Sequence, residues 1–357
     1  MTADRKACDY HVIEITNEMP LNRKGGVGSV IENLASGLRF LGVKILWLLL
    51  DHTYNDFEVQ KILAEYPDMA VGSYHDLARY RAPVINLHTY QHHPRFLDYL
   101  TGKKVIYTIH SLLFCEAESN GIDLSSAIRQ QENLIAACDK VVLVSQAELE
   151  NYHKKGYQKL NPNVLVIHNG LRCPNKFMNL RRNKVIGFCG RLVPRKRPEY
   201  VPLILAEKGF EDYSALVAGR GFSPYARDLV GKLSLENRLR YVGWCGGERL
   251  ESFYDQIDIL AIPSTYEPFG MVALEAVTRG IPVVCQPLGG LAEILGDYAF
   301  YSEDETYPAF RKAVSRWVQA DRVTINIITR GALRRYEQNF TDVMMAEKYL
   351  ALFESMA

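Results

Sequence analysis

Short apolar, β-branched runs alternate with longer amphipathic stretches along the whole chain. The runs are 11–16 (HVIEIT), 43–50 (VKILWLLL), 83–88 (PVINLH), 104–110 (KVIYTIH), 140–145 (KVVLVS) and 164–169 (VLVIHN), followed by 184–190 (KVIGFCG), 213–219 (YSALVAG), 239–244 (LRYVGW), 257–264 (IDILAIPS) and 281–286 (IPVVCQ). Their apolar residues fall on both faces, which suits strands covered from both sides in a parallel sheet. The segments between them read as helices. Ser145-x-x-Glu148 has the form of a capping box, Ser223-Pro224 gives an N-cap and an N1 proline, and Thr341 precedes a final helix through Met356. A repeated βαβα order predicts doubly wound α/β sheets. About six strands fall before residue 170 and five or six after it, which favours two sheets over one. The polar stretch 170–184 (GLRCPNKFMNLRRNK) has the composition of a linker. Expected boundaries are therefore a domain over 1–170, a second over 171–335 and a terminal helix within 336–357.

Composition narrows the function. The chain has 357 residues, 48% hydrophobic and 23% charged, an ordinary balance for a two-domain globular protein. Lys and Arg number 42 against 41 Asp and Glu, so no global positive field favours nucleic acid. The longest apolar run, 43–50, is far short of the roughly 20 residues a membrane span needs. The first residues, MTADRKACDYH, contain no apolar segment of the secretory kind. Seven scattered cysteines without C-x-x-C read as reduced, mostly buried thiols of a cytoplasmic protein.

In open α/β sheets ligands bind beyond the carboxyl ends of the strands, so the residues just after each run matter most. The richest stretch is 263–284, PSTYEPFGMVALEAVTRGIPVV. It reads strand, loop, helix, then entry into the next strand. Pro268 fits just before the helix, and Gly270 lets another molecule approach the backbone. Free N–H groups near Phe269 to Val272, among them those of Gly270, Met271 and Val272, would form an anion site at the helix start. Glu267 and Glu275 repel phosphate but accept hydrogen bonds from hydroxyls. A diphosphate flanked by two polyols satisfies the whole set, and a nucleotide-sugar has that layout. The plainer reading is an acidic first turn favoured by the helix dipole.

Glu267, seven residues, then Glu275 within this string resembles the signature of retaining nucleotide-sugar glycosyltransferases of the GT-B fold, and most of all the large fourth family; glycogen synthases share the plan. Further segments agree. GFCGRLVPRKRPEYV resembles the family's strand and GRL…K segment, which places Arg191 and Lys196 on the diphosphate. Arg197 stands where the family usually has Gly, and Arg195 and Arg197 read as a solvated charge run. VAGRGFSP resembles the Gly-x-Gly loop, Gly219 to Gly221, near the nucleotide. YVGWCGGERL resembles the segment whose backbone lines the base pocket around Val242. NRKGGVGSVIENLASGL resembles the N-domain glycine loop, with Gly25, Gly26 and Gly28 beside diphosphate and sugar. VIYTIHS puts His110 at the donor-sugar histidine, and INLHTY puts His88 on the acceptor side. One departure is HNGLR at 168–172, where many members carry Asn-Gly-Val-Asp.

The resemblance implies two facing Rossmann-like domains, with the final helix packing back on the first. It implies retaining transfer of a sugar from a nucleoside-diphosphate-sugar to a small-molecule or saccharide hydroxyl, with His110, Glu267, Arg191 and Lys196 at the chemistry. No Asp-x-Asp occurs, so cations and helix amides, with neither metal nor cofactor, are expected to neutralise the leaving group. Three alternatives keep or share the fold: a sugar-nucleotide epimerase, a phosphorylase, or a binding protein without catalysis. A dehydrogenase fits poorly, because Ile31 stands where the third small residue of the dinucleotide fingerprint belongs, and 17–24 separates strand from glycines. Segments 54–82 and 88–97, on the expected acceptor side, carry no interpretable motif.

Overall fold

In the computed structural model, which describes residues 10–18, 26–50, 56–66, 68–90, 96–174, 183–221 and 224–356, every one of these apolar runs forms a strand. The first sheet contains β1 (Val12–Thr16), β2 (Ile45–Leu49), β3 (Met69–Val71), β4 (Val84–Leu87), β5 (Lys104–Ile109), β6 (Lys140–Leu143) and β7 (Val164–Val166), in the order β3-β2-β1-β4-β5-β6-β7. The second contains β8 (Val185–Cys189), β9 (Ser214–Ala218), β10 (Leu239–Gly243), β11 (Ile259–Ile262), β12 (Val283–Cys285) and β13 (Phe300–Tyr301), in the order β10-β9-β8-β11-β12-β13. All pairings are parallel. Every residue of β1, β2, β4 and β11 is buried, which explains why these runs show no polar alternation.

The strand order reverses between β1 and β4 in the first sheet and between β8 and β11 in the second. Loops leaving neighbouring strands there diverge to opposite faces and open a crevice, the usual ligand position in such sheets.

The chain divides into two compact units. The first comprises Met1–Phe114, Asp123–Arg172 and Asp342–Ala357; the second comprises Cys115–Ile122 and Cys173–Thr341. The final helix, Asp342–Met356, thus belongs to the first unit, where it packs on helix Gly26–Phe40. Gly37 permits the close crossing: a Cβ there would lie 2.5 Å from the Asp342 carbonyl oxygen and 2.7 Å from Ala346 Cβ. Met345, Ala346, Tyr349, Leu352 and Phe353 are buried along the final helix.

Ser145 caps helix Gln146–Lys155 through the Glu148 amide, at 3.1 Å, while the Glu148 carboxylate accepts from the Leu112 amide at 3.0 Å. Ser223 lies outside the described residues. The expectation of mostly buried cysteines does not hold. Of the six described, all are free; Cys138 and Cys285 are buried, Cys115, Cys189 and Cys245 are half-buried, and Cys173 is exposed.

Candidate functional site

The second unit brings its chemistry together where the loops after β8 and β11 meet. After β8, a single 3-10 turn, Pro194–Lys196, carries Lys196 as its last residue. After β11 the chain runs through Ser264 and Glu267 into helix Met271–Val277. The loops are tied by the Thr265 amide donating to the Arg195 carbonyl (2.8 Å) and by Arg195 Nη1 donating to the Tyr266 carbonyl (2.9 Å).

Lys196 Nζ donates to Glu267 Oε2, and Ser264 Oγ donates to the same oxygen at 3.3 Å. Both members of the pair are largely buried, with side chains 11% and 9% exposed. Burial alone would raise the Glu267 pKa, but the Lys196 and Arg195 charges more than offset it and hold the carboxyl below its ordinary value. Lys196 is lowered, by burial first; Glu267 opposes that, and Arg195 and Arg191 add to it.

Arg191 and Arg195 share one carboxylate. Their Nη2 atoms lie 2.7 and 3.0 Å from Glu116 Oε1, on the short helix Leu113–Asn120. Arg191 is 62% exposed and keeps most of its donors in water. Arg195 is not the solvated charge expected: only 5% of its side chain is exposed, and the Asn120 carboxamide oxygen accepts from its amide at 3.2 Å. Arg197 is not simply solvated either. It bonds to the Tyr200 hydroxyl and the Glu305 carbonyl. Its φ of 45° and ψ of 52° show why this position suits Gly: the loop needs the left-handed region, which few other residues adopt.

Two glycines absent from the sequence reading clamp the Glu267 loop. A Cβ on Gly289 would lie 2.0 Å from the Glu267 carbonyl oxygen, and one on Gly290 would lie 2.4 Å from Phe269 Cα. Gly270 caps helix Met271–Val277 at φ 106°. The Met271 and Val272 amides sit in its first turn, where no intrahelical carbonyl can reach them. Glu275, within this helix, accepts from the Tyr254 hydroxyl at 2.7 Å, so one carboxylate oxygen is already engaged.

Gly219 is dictated by packing: a Cβ there would lie 1.8 Å from the Gly190 carbonyl oxygen. The Val242 carbonyl accepts from Arg249 Nη2 at 2.8 Å.

In the first unit, Gly25 lies outside the described residues. Gly26 opens helix Gly26–Phe40, with open space where a Cβ would stand. The Gly28 amide donates to the Glu18 carboxylate at 3.1 Å, so a protein anion already occupies an amide assigned to diphosphate.

His88 cannot stand on an acceptor surface, because its side chain is 0% exposed and both ring nitrogens have protein partners. Nε2 lies 2.6 Å from Glu14 Oε2 and 3.1 Å from Asn86 Nδ2; Nδ1 lies 2.9 Å from His110 Nε2. The chain continues outward, with Thr108 Oγ1 donating to Asn86 Oδ1 at 2.8 Å and Tyr349 Oη 3.1 Å from Thr108 Oγ1. Burial pushes Glu14 up to about 8 and His88 down to about 3. His110 is lowered well below the usual imidazole range by burial and then by His88. The Glu14–His88 contact is therefore a neutral hydrogen bond rather than an ion pair. His110 is half-buried, and its Nδ1 is buried without a partner among the described residues.

Glu14, Asn86 and Thr108 did leave a trace in the sequence: each is a polar residue inside an otherwise apolar run, on the adjacent strands β1, β4 and β5. Glu116, Ser264 and Tyr254 left none. Among the described residues, no three His, Cys, Asp or Glu side chains group so as to hold a metal ion, and no helix is long and apolar enough to cross a membrane.

The family model Glycosyltransferase Family 4 matches residues 24–173, and Glycosyl transferases group 1 matches 175–334. An uncharacterized glycosyltransferase of Methanocaldococcus jannaschii is 31% identical over 218 residues, 56% of this chain and 55% of that protein. A D-inositol 3-phosphate glycosyltransferase of Corynebacterium efficiens is 37% identical over 117 residues, 30% of this chain and 28% of that one. The match thus spans about half the length of the first of these relatives and under a third of the second. Among solved structures, HepE of Anabaena with UDP and glucose superposes with a TM-score of 0.77 at 19% identity, covering 97% of this chain and 100% of that one. Sucrose-phosphate synthase of Thermosynechococcus elongatus gives 0.78 at 17% identity, covering 97% and 98%. Two glycosyltransferase family models thus match adjoining stretches of the chain, and its two parallel-sheet units have the GT-B fold of these solved structures.

Proposed function

We propose that this protein transfers a sugar from a nucleoside-diphosphate-sugar to a hydroxyl acceptor in the cytoplasm, with the anomeric configuration retained and no metal ion required. One observation carries this reading: the Lys196–Glu267 pair, set at the strand-order reversal of the second sheet with Arg191 beside it. Cations and a carboxylate at one point suit a ligand that carries phosphate next to hydroxyls. UDP is the first nucleotide to test, because solved structures of this fold hold UDP, UDP with glucose, and UDP-glucose.

In this reading Arg191, Lys196 and the amides of Gly270 to Val272 stabilise charge growing on the departing diphosphate. Glu267 accepts from a sugar hydroxyl through Oε1, which has no protein partner among the described residues. Glu275 accepts from the ribose, and Tyr254 orients it. His110 meets the sugar through Nδ1. The acceptor oxygen bonds to the anomeric carbon on the face the phosphate leaves, and its proton passes to the departing phosphate oxygen. Metal independence is supported by the absence of Asp-x-Asp from the sequence.

The test begins with a thermal-shift screen of UDP, GDP, ADP and dTDP and their sugars. A ligand at a hundredfold excess over Kd adds about 2.7 kcal/mol. The responding donor is then incubated with candidate acceptors in excess chelator, and the product is analysed by NMR. A new glycoside with the donor's configuration is expected. An epimerised donor, an inverted product, or activity that returns only with Mg²⁺ would refute the corresponding part.

A further inference from the structure

We propose that Glu14 and His88 form a proton-holding relay that sets the role of His110: with its proton in place on Glu14, His110 Nδ1 is a hydrogen-bond donor, and once that proton is gone Nδ1 is an acceptor. Glu14 and His88 are positioning residues, acting through His110 without touching substrate.

The hydrogen bonds favour one direction of the chain. Thr108 donates to Asn86 Oδ1, which leaves the Asn86 amide nitrogen, a donor only, facing His88 Nε2 at 3.1 Å. With Glu14 protonated that nitrogen is bare, and its single lone pair accepts the Glu14 proton in a hydrogen bond at 2.6 Å, while Asn86 also hydrogen-bonds to the Glu14 carboxyl. A neutral imidazole has one N–H, so the His88 proton sits on Nδ1 and is donated to His110 Nε2 at 2.9 Å. His110 in turn carries its proton on Nδ1, the buried atom without a partner among the described residues. Tyr349 closes the far end by donating to Thr108, so the final helix helps set the tautomer of a histidine beyond β5.

Burial raises the Glu14 carboxyl to about 8, so it holds this proton at neutral pH. The titratable groups facing it are His88 after β4, His110 after β5 and Tyr349 of the final helix; β2 presents the neutral Trp47. When solvent base removes the Nδ1 proton, His110 Nε2 takes the His88 Nδ1 proton and His88 Nε2 takes the Glu14 proton. One proton leaves, one negative charge appears on Glu14, and both rings stay neutral.

That Nδ1 meets a sugar atom rests on the glycosyltransferase reading; the tautomer does not, so the test reads the ring itself. The full-length protein is labelled with ¹⁵N-histidine, His110 is assigned by the signals lost in His110→Gln, and its ring-nitrogen shifts are followed from about pH 6 to about pH 9.5. Wild type is expected to show Nδ1 protonated at neutral pH and the proton moved to Nε2 above about pH 8. Glu14→Gln, whose amide donates to His88 Nε2 at every pH, is expected to hold the Nδ1 proton throughout. In an active preparation, the alkaline limb of kcat/KM should be present in wild type and absent from Glu14→Gln. A wild-type His110 protonated on Nε2 at neutral pH overturns the proposal, as does one that never switches, or a Glu14→Gln protein that switches like wild type. The wild-type titration decides even if the variant fails to fold. A relay seen without glycosyl transfer would reject the function and leave the relay standing.

Discussion

Lys196 and Glu267 show what a buried ion pair demands of its neighbours. Each charge is tolerated in the interior because the other is present, so removing one leaves the other stranded, at about 3–5 kcal/mol. Lys196→Ala and Glu267→Gln should each lower the unfolding free energy measured in urea by an amount in this range. The double variant should lose much less than the two losses added. Both single variants should also reduce kcat/KM by about 10²–10³. Additive stability losses would mean that the pair is not coupled, and a Lys196→Ala enzyme with wild-type turnover would remove Lys196 from the chemistry. The Glu14 relay makes a second prediction, with a sign. Its carboxyl is raised from an ordinary 4.5 to about 8, so it favours folding fully below pH 4.5 and loses that contribution as pH rises toward 8. His88 and His110 are lowered from 6.5, so they favour folding above pH 6.5 and lose it as pH falls. Between pH 6.5 and 8 only Glu14 acts among these three, and stability should fall by about 1.4 kcal/mol per pH unit. Urea unfolding of wild type and Glu14→Gln over this window checks it. An alkaline decline that survives in the variant would assign the loss to other groups.

At the scale of elements, the Glu267 loop depends on a backbone contact more than on its own sequence. Gly289 and Gly290 open helix Gly289–Leu295, and the Gly290 amide donates to the Glu267 carbonyl at 3.2 Å. Because a Cβ at Gly290 would meet backbone atoms, nothing flexible can yield. Gly290→Ala should cost about 1–3 kcal/mol and shift the loop that carries Glu267, lowering kcat/KM with the nucleotide still bound. Unchanged kinetics would show that the loop keeps its place without this packing. The same contrast separates what the sequence disclosed from what it concealed. The long strands were legible because double-sided burial writes continuous apolar runs. β3 and β13, with three and two residues, are too short for any periodicity and were missed. Glu267 and Lys196 stood out through the family resemblance of the segments that carry them, each just after a strand. Glu116 was not: it sits mid-helix, and only the fold brings it to Arg191 and Arg195. Arg195 misled because three successive cations look solvated, whereas the 3-10 turn buries the first of them.

At the scale of the molecule, the first unit is assembled from chain segments that do not adjoin, one of them the helix Asp342–Met356. Helix Asp342–Met356 buries Met345, Tyr349, Leu352 and Phe353, each worth about 1.5–3 kcal/mol on transfer from water. Their sum is comparable with the whole stability of an ordinary domain, about 5–15 kcal/mol. The helix also brings Tyr349 to Thr108, so it supports the His88 network as well as the core. A chain ending at Thr341 should therefore keep the fold of the second unit, whose sheet and core lie wholly within its own residues, while the first unit becomes marginal. Hydrogen exchange should show loss of protection in β1, β4 and β5 but not in β8, β9 and β11. A synthetic peptide of residues 342–357 should restore protection in the first set, and restore it less when Tyr349 is replaced by Phe, by about 1 kcal/mol of binding. Equal loss of protection in both sheets would mean that the units fold as one, and undiminished protection in β1 and β4 would show that helix Gly26–Phe40 covers its sheet without a partner.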